Sequence, residues 1–175
     1  MFSVTREVVP DDSLLKTFRG GAHPERWGGY ADCFEVTVDR TVTLPEFVYA
    51  FYTSPAFQIE RFLLRLFIGA GSSRSDACAV AEGSASQFAA WYVGERSSTQ
   101  LLMCDRYERT RSWFQAVPIA GNGTRLRFGS AVAAARDSGG RPEPRGKGFR
   151  LMLRFHVLYS QVLLHAAKVR LLAIN

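Results

Sequence analysis

Along "CFEVTVD" the chain alternates: Phe34, Val36 and Val38 fall on one side and Glu35, Thr37 and Asp39 on the other, the two-residue period of a strand with one buried face. In "TLPE", Thr43 is placed to cap a helix through its hydroxyl, Glu46 to reach back to the cap, and Pro45 to fill a first-turn position that needs no donor. The helix carries Phe47, Phe51 and Tyr52 at helical spacing. "SPAF" opens a second one, with Ser54 as cap and Pro55 in its first turn, running through "FQIERFLLRLFI" until Gly69 and Gly71 end it. Residues 71–86 are small and without period, which predicts a loop holding about one helical turn near Asp76.

Four strand-like runs follow in quick succession: "FAAWYVGE", "TQLLMCD", "RTRSWFQAV" and "TRLRFGSAVAA". The short links between them leave no room for crossover helices, so the strands are predicted to be antiparallel neighbours, with Asn122-Gly123 at the last hairpin. In the last run Leu126, Phe128 and Val132 point inward and Arg125 and Arg127 outward. A basic loop rich in Pro and Gly, residues 136–148, leads to "FRLMLRFHVLYSQVLLHAAKVRLL", residues 149–172. Helical spacing puts Leu151, Phe155, Leu158 and Val162 in one row and Met152, Tyr159 and Leu163 in the next. Arg154, Gln161, His165 and Lys168 share the other side. Two apolar rows predict a helix lying on a sheet. The charges Arg154, Lys168 and Arg170 bound an uncharged run too short for a membrane span, which needs about 18 residues.

The whole, residues 1–175, reads as one α+β domain: an irregular lead-in at 1–31, broken by Gly20, Gly21, Pro24, Gly28 and Gly29, and a core at 32–172. An aromatic content of 13% beside 22% charged residues describes a chain that folds. Cys33, Cys78 and Cys104 have no CxxC spacing, which fits free thiols in a reducing compartment. "MFSVTREVVPDD" has no basic run followed by an apolar core, so no secretory leader is expected, and the two observations together predict a cytoplasmic protein. Charge is uneven: residues 1–122 hold 12 Lys and Arg against 14 Asp and Glu, net −2, and residues 123–175 hold 10 against 2, net +8. Aromatics do not interleave with the loop charges, which speaks against a nucleic-acid module and for a solvated basic face.

Strand, two short helices, a run of antiparallel strands and a long terminal helix resembles the helix-grip order of START-like (SRPBCC) lipid-binding proteins. "ADCFEVTV", with its D-x-F-x-V spacing, "GERSSTQLLMCDRYERTRSWFQAV" and "FHVLYSQVLLHAA", opening on a Phe-His pair, resemble landmarks of a bacterial domain family of unknown function within that group. The likeness spans residues 32–167, and it departs from the family at Gly94-Glu95-Arg96, where acidic residues are usual. It implies an antiparallel sheet of about five to seven strands curved around the terminal helix. It implies no agreed activity.

Candidate chemistry is sparse. His156 lies between Met152 and Tyr159 in an apolar row, where an imidazole serves as a core hydrogen-bonding group or, facing a cleft, as a general base. His165 is nine residues on, about 900° of helical turn, and so on the opposite side. With His23 remote and no HxH, HExxH or CxxC spacing, no metal site and no cofactor are predicted. Asp105, in "MCDRYER" with Glu108, Arg106 and Arg109 and with Arg111 just beyond, is either turn chemistry or an acid at a cavity mouth. Trp91 and Trp113 either fill the core or line a ligand space. The leading reading is a protein that binds a small apolar or amphipathic ligand between sheet and terminal helix, contacted by Phe51, Phe62, Trp91, Trp113, Phe155, His156 and Tyr159. The alternatives are a cyclase- or dehydratase-type enzyme with His156 as base and Asp105 or an arginine orienting the substrate, and a non-catalytic scaffold or homo-oligomer subunit whose basic surface meets an acidic partner.

Overall fold

Strand alternation sorts the side chains onto two faces of one sheet. The computed structural model describes residues 4–20, 30–58, 72–107, 109–133 and 147–173, the last with side chains from 154 onward. The strands are β1 (Thr5–Glu7), β2 (Tyr30–Val38), β3 (Gln87–Phe88), β4 (Trp91–Arg96), β5 (Gln100–Asp105), β6 (Thr110–Ile119) and β7 (Gly123–Val132). They form a seven-stranded open sheet in the order β1-β2-β7-β6-β5-β4-β3, antiparallel at every pairing. The helices are α1 (Leu14–Thr17), α2 (Leu44–Tyr52), α3 (Arg74–Glu82) and α4 (Lys147–Ala173).

The front face of the sheet holds Phe34, Val36, Leu101, Met103, Phe114, Leu126 and Phe128, buried under Phe47 and Phe51 of α2 and Leu163, Leu164 and Ala167 of α4. The back face holds Cys33, Leu102, Cys104 and Trp113, covered by Leu14 and Leu15 of α1. Two cores thus share one sheet. Strands buried on both faces carry apolar residues at both parities, and that is why "TQLLMCD" and "RTRSWFQAV" do not alternate cleanly.

Local chemistry explains most element ends. Thr43 and Glu46 form the reciprocal cap, with the Thr43 N–H donating to Glu46 Oε2 at 2.7 Å and the Glu46 N–H donating to Thr43 Oγ1 at 3.3 Å. Ser54 Oγ accepts from the Phe57 N–H at 3.3 Å, opening a helical turn at 55–58. The rest of that second helix, including Phe62, Gly69 and Gly71, lies outside the described residues, as does loop 136–146. At the last hairpin the left-handed positions are Gly121 and Asn122, one residue earlier than the Asn122-Gly123 pair suggests.

Four expectations are corrected. The lead-in is not irregular throughout: β1 pairs with β2, Thr5 opposite Glu35, and α1 seals the back core. The small-residue stretch after Gly71 is a helix, α3, because Ser73 and Asp76 cap it reciprocally and its face of Ala77, Val80 and Ala81 is buried. It ends at Gly83, φ +85°, with the Arg96 guanidinium donating to the carbonyls of Val80 and, at 3.0 Å, Ala81. "FAAWYVGE" is two strands, broken where Ala89 turns to φ +52°. The face that α4 buries also differs from the expected rows. Its buried stripe is Ser160, Leu163, Leu164, Ala167 and Leu171, while Phe155, Leu158 and Val162 are 68%, 59% and 37% exposed. Small residues let α4 approach α2, whose own face carries the bulky Phe47, Phe51 and Tyr52.

Candidate functional site

The front face is graded from polar to apolar along the strands. Pairing sets Asp32 of β2 opposite Ser130 of β7, and Ser130 opposite Ser112 of β6. Two residues further along, the row is Phe34, Phe128 and Phe114. Over this gradient lies a partly open cavity of about 240 Å³, lined by Ser112, Phe114, Phe128, Ser130 and Trp91 of the sheet, Phe51, Tyr52 and Phe57 below, and His156, Tyr159, Ser160 and Leu163 of α4. Its apolar wall is closely packed: the Phe51 ring lies 4.6 Å from Phe128 and 4.9 Å from Phe114, centroid to centroid.

The polar wall is a chain of hydrogen bonds. The side chain of Asp32 has no exposure to solvent. Its Oδ2 accepts from the Tyr30 hydroxyl at 2.9 Å, and its Oδ1 accepts from the Ser130 N–H at 3.2 Å and the Ser130 hydroxyl at 2.7 Å. Burial, and then the negative charge of Asp32, push the Tyr30 phenol up to about 12. Ser130 Oγ lies 2.6 Å from His156 Nε2, and His156 Nε2 lies 3.9 Å from Asp32 Oδ2. The imidazole is 30% exposed at the cavity edge. A histidine, a hydroxyl and a buried carboxylate in this order can hold a hydrogen-bonding ligand, or take up a proton with a negative charge behind it. The connectivity differs from a nucleophile triad, in which the acid orients the histidine rather than the hydroxyl.

Of the residues predicted for the site, Phe51, Trp91, His156 and Tyr159 line the cavity. Trp113 does not. It is one residue out of parity with Phe114, so its indole is in the back core, where Nε1 donates to Gln100 Oε1 at 2.7 Å. Phe155 does not either: it projects to solvent and stacks at 6.0 Å on the outer side of the Tyr159 ring. Phe62 lies outside the described residues. Asp105 is turn chemistry, its carboxylate accepting from the N–H groups of Tyr107, Arg109 and Thr110 and from the Thr110 hydroxyl. Arg111, the arginine closest to the site, is turned away, its guanidinium donating to the carbonyl of Gly20 at 2.9 Å.

Asp32, Ser130 and Ser112 were missed, and a signal existed for the first. Asp32 has the parity of Phe34, Val36 and Val38, so the alternation that buries those three also buries a carboxylate. Among the described residues no group of three or more His, Cys, Asp or Glu could hold a metal ion, and no helix is long and apolar enough to cross a membrane. No family model, curated protein or solved structure matches the chain.

Proposed function

We propose that the chain is a START-like, helix-grip protein of the bacterial family its landmarks resemble, and that it binds a small amphipathic molecule between its sheet and α4. The observation that carries this is the graded cavity: about 240 Å³ with a phenylalanine wall at one end and His156, Ser130 and Ser112 at the other. That volume exceeds the ~150 Å³ apolar cavity that takes up benzene and falls short of the ~300 Å³ at which drug-sized sites begin, so the occupant has one or two rings or a short chain. The order β2, two helices, antiparallel strands and a terminal helix on the sheet supports the helix-grip assignment.

Native mass spectrometry of freshly purified protein, beside a Ser112→Trp variant that puts an indole into the cavity, tests the reading. The wild type carries or takes up a small molecule that the variant cannot. Equal uptake by both places the site elsewhere.

A second reading, acid–base chemistry on the bound molecule, is favoured by the placement of Asp32 behind His156 through Ser130. The acid partner is then Asp32 and not Asp105. His156→Gln in that case retains binding and loses turnover.

A further inference from the structure

The proton count around Ser130 fixes which imidazole nitrogen of His156 keeps a free lone pair. Ser130 has one hydroxyl proton, and it is given to Asp32 Oδ1 at 2.7 Å. In its 2.6 Å contact with His156 the same oxygen must therefore accept, so Nε2 carries the imidazole proton. A neutral ring protonated at Nε2 has a bare lone pair at Nδ1, and Nδ1 makes no hydrogen bond to any described residue. Asp32 cannot release the Ser130 proton cheaply: it has no solvent to replace it, and its other oxygen is already engaged by Tyr30.

The remaining polar groups do not offset this bias. Ser112 and Ser160 bring hydroxyls, which give or accept equally well, and the Thr110 hydroxyl, whose proton goes to Asp105, is left only to accept. Arg111 is the one cationic residue in the described lining, and its guanidinium is committed on the back face to the carbonyls of Phe18 and Gly20. An anionic head group would find no counter-ion there, and it would sit near the charge of Asp32, 3.9 Å behind His156.

We propose that the cavity selects compact apolar molecules ending in a neutral hydrogen-bond donor, a phenol or alcohol, whose proton is offered to Nδ1 of His156. This rests on the cavity being a ligand site, and it adds the class of ligand. The test uses 2-naphthol, 2-methoxynaphthalene and 2-naphthoate, which share one ring system and differ in the head group, titrated at about pH 8 into wild type and His156→Phe. In the wild type the naphthol binds roughly fivefold or more tighter than its methyl ether, the gain of one net hydrogen bond, and the naphthoate binds weakest. In His156→Phe the naphthol and the ether bind alike. Equal binding of these two by the wild type, or a preference that survives in the variant, overturns the inference and leaves the ligand site standing. Failure of all three to bind removes the site and the inference together. Nitrogen NMR of the ligand-free wild type gives an independent check that needs no variant: His156 shows a protonated Nε2 and a bare Nδ1, and the opposite tautomer overturns the proposal.

Discussion

Asp32 is buried with three donors on its two oxygens, and each would be orphaned by its loss. Asp32→Ala should cost about 2–3 kcal/mol in urea unfolding, well above the effect of truncating an exposed residue. Its neighbour Tyr30 predicts a pH signature. The phenol ionises near 10 in the unfolded chain and at about 12 in the folded one, so the neutral form is favoured by folding. The stability this lends is complete below pH 10 and is lost as pH rises from 10 to 12; Tyr30→Phe should flatten that slope in a denaturant series. Burial likewise pushes the Cys33 thiol up to about 12, whereas Cys78 is partly exposed beside Glu82. Thiol reagents at pH 8 should label Cys78 first and reach Cys33 only on unfolding; early labelling of Cys33 would contradict its placement in the back core.

At the scale of elements, the two tryptophans separate the cores. Trp91→Ala should weaken aromatic binding, while Trp113→Phe should lower stability by about 1–3 kcal/mol and leave affinity unchanged. The terminal helix separates in the same way: Leu164→Ala should cost about 2–5 kcal/mol and Phe155→Ser less than about 0.5 kcal/mol, read by urea unfolding. Two helix starts were legible from the sequence because a cap is local chemistry, as Thr43 with Glu46 and Ser54 with Pro55 illustrate, whereas the equivalent Ser73 and Asp76 cap of α3 was hidden in a run of small residues without period. The order of β4 to β7 was legible because short links permit only neighbours, whereas the pairing of β2 with β7 and of β1 with β2, far apart in sequence, was not. Which face of α4 turns inward was not. Its apolar residues surround most of the axis, and the choice falls to the fit against α2, where Ser160 and Ala167 allow close approach and Phe155 does not. Trp113 failed for a related reason: a strand buried on both faces has no polar residue to mark its parity. Asp32 was legible in principle, since strand alternation alone puts a carboxylate inside.

Taken as a whole, the molecule uses one antiparallel sheet twice. The back is sealed by α1 with Val9 and Phe18, and Gln100 holds both the Leu14 N–H at 3.0 Å and the Trp113 indole. The front is left incompletely filled between β6, β7, α2 and α4, and the unfilled part is where polar and aromatic rows meet. Packing on both faces buries the sheet that forms one wall of the cavity. The central claim is that this space is a binding site. The most direct measurement is the chemical-shift map of the folded protein during titration with 2-naphthol. Saturable shifts confined to Phe51, Trp91, Phe114, Phe128, Ser130, His156 and Tyr159, with Trp113 unmoved, are predicted. No saturable shift, or shifts centred on the back core around Trp113, would contradict the account.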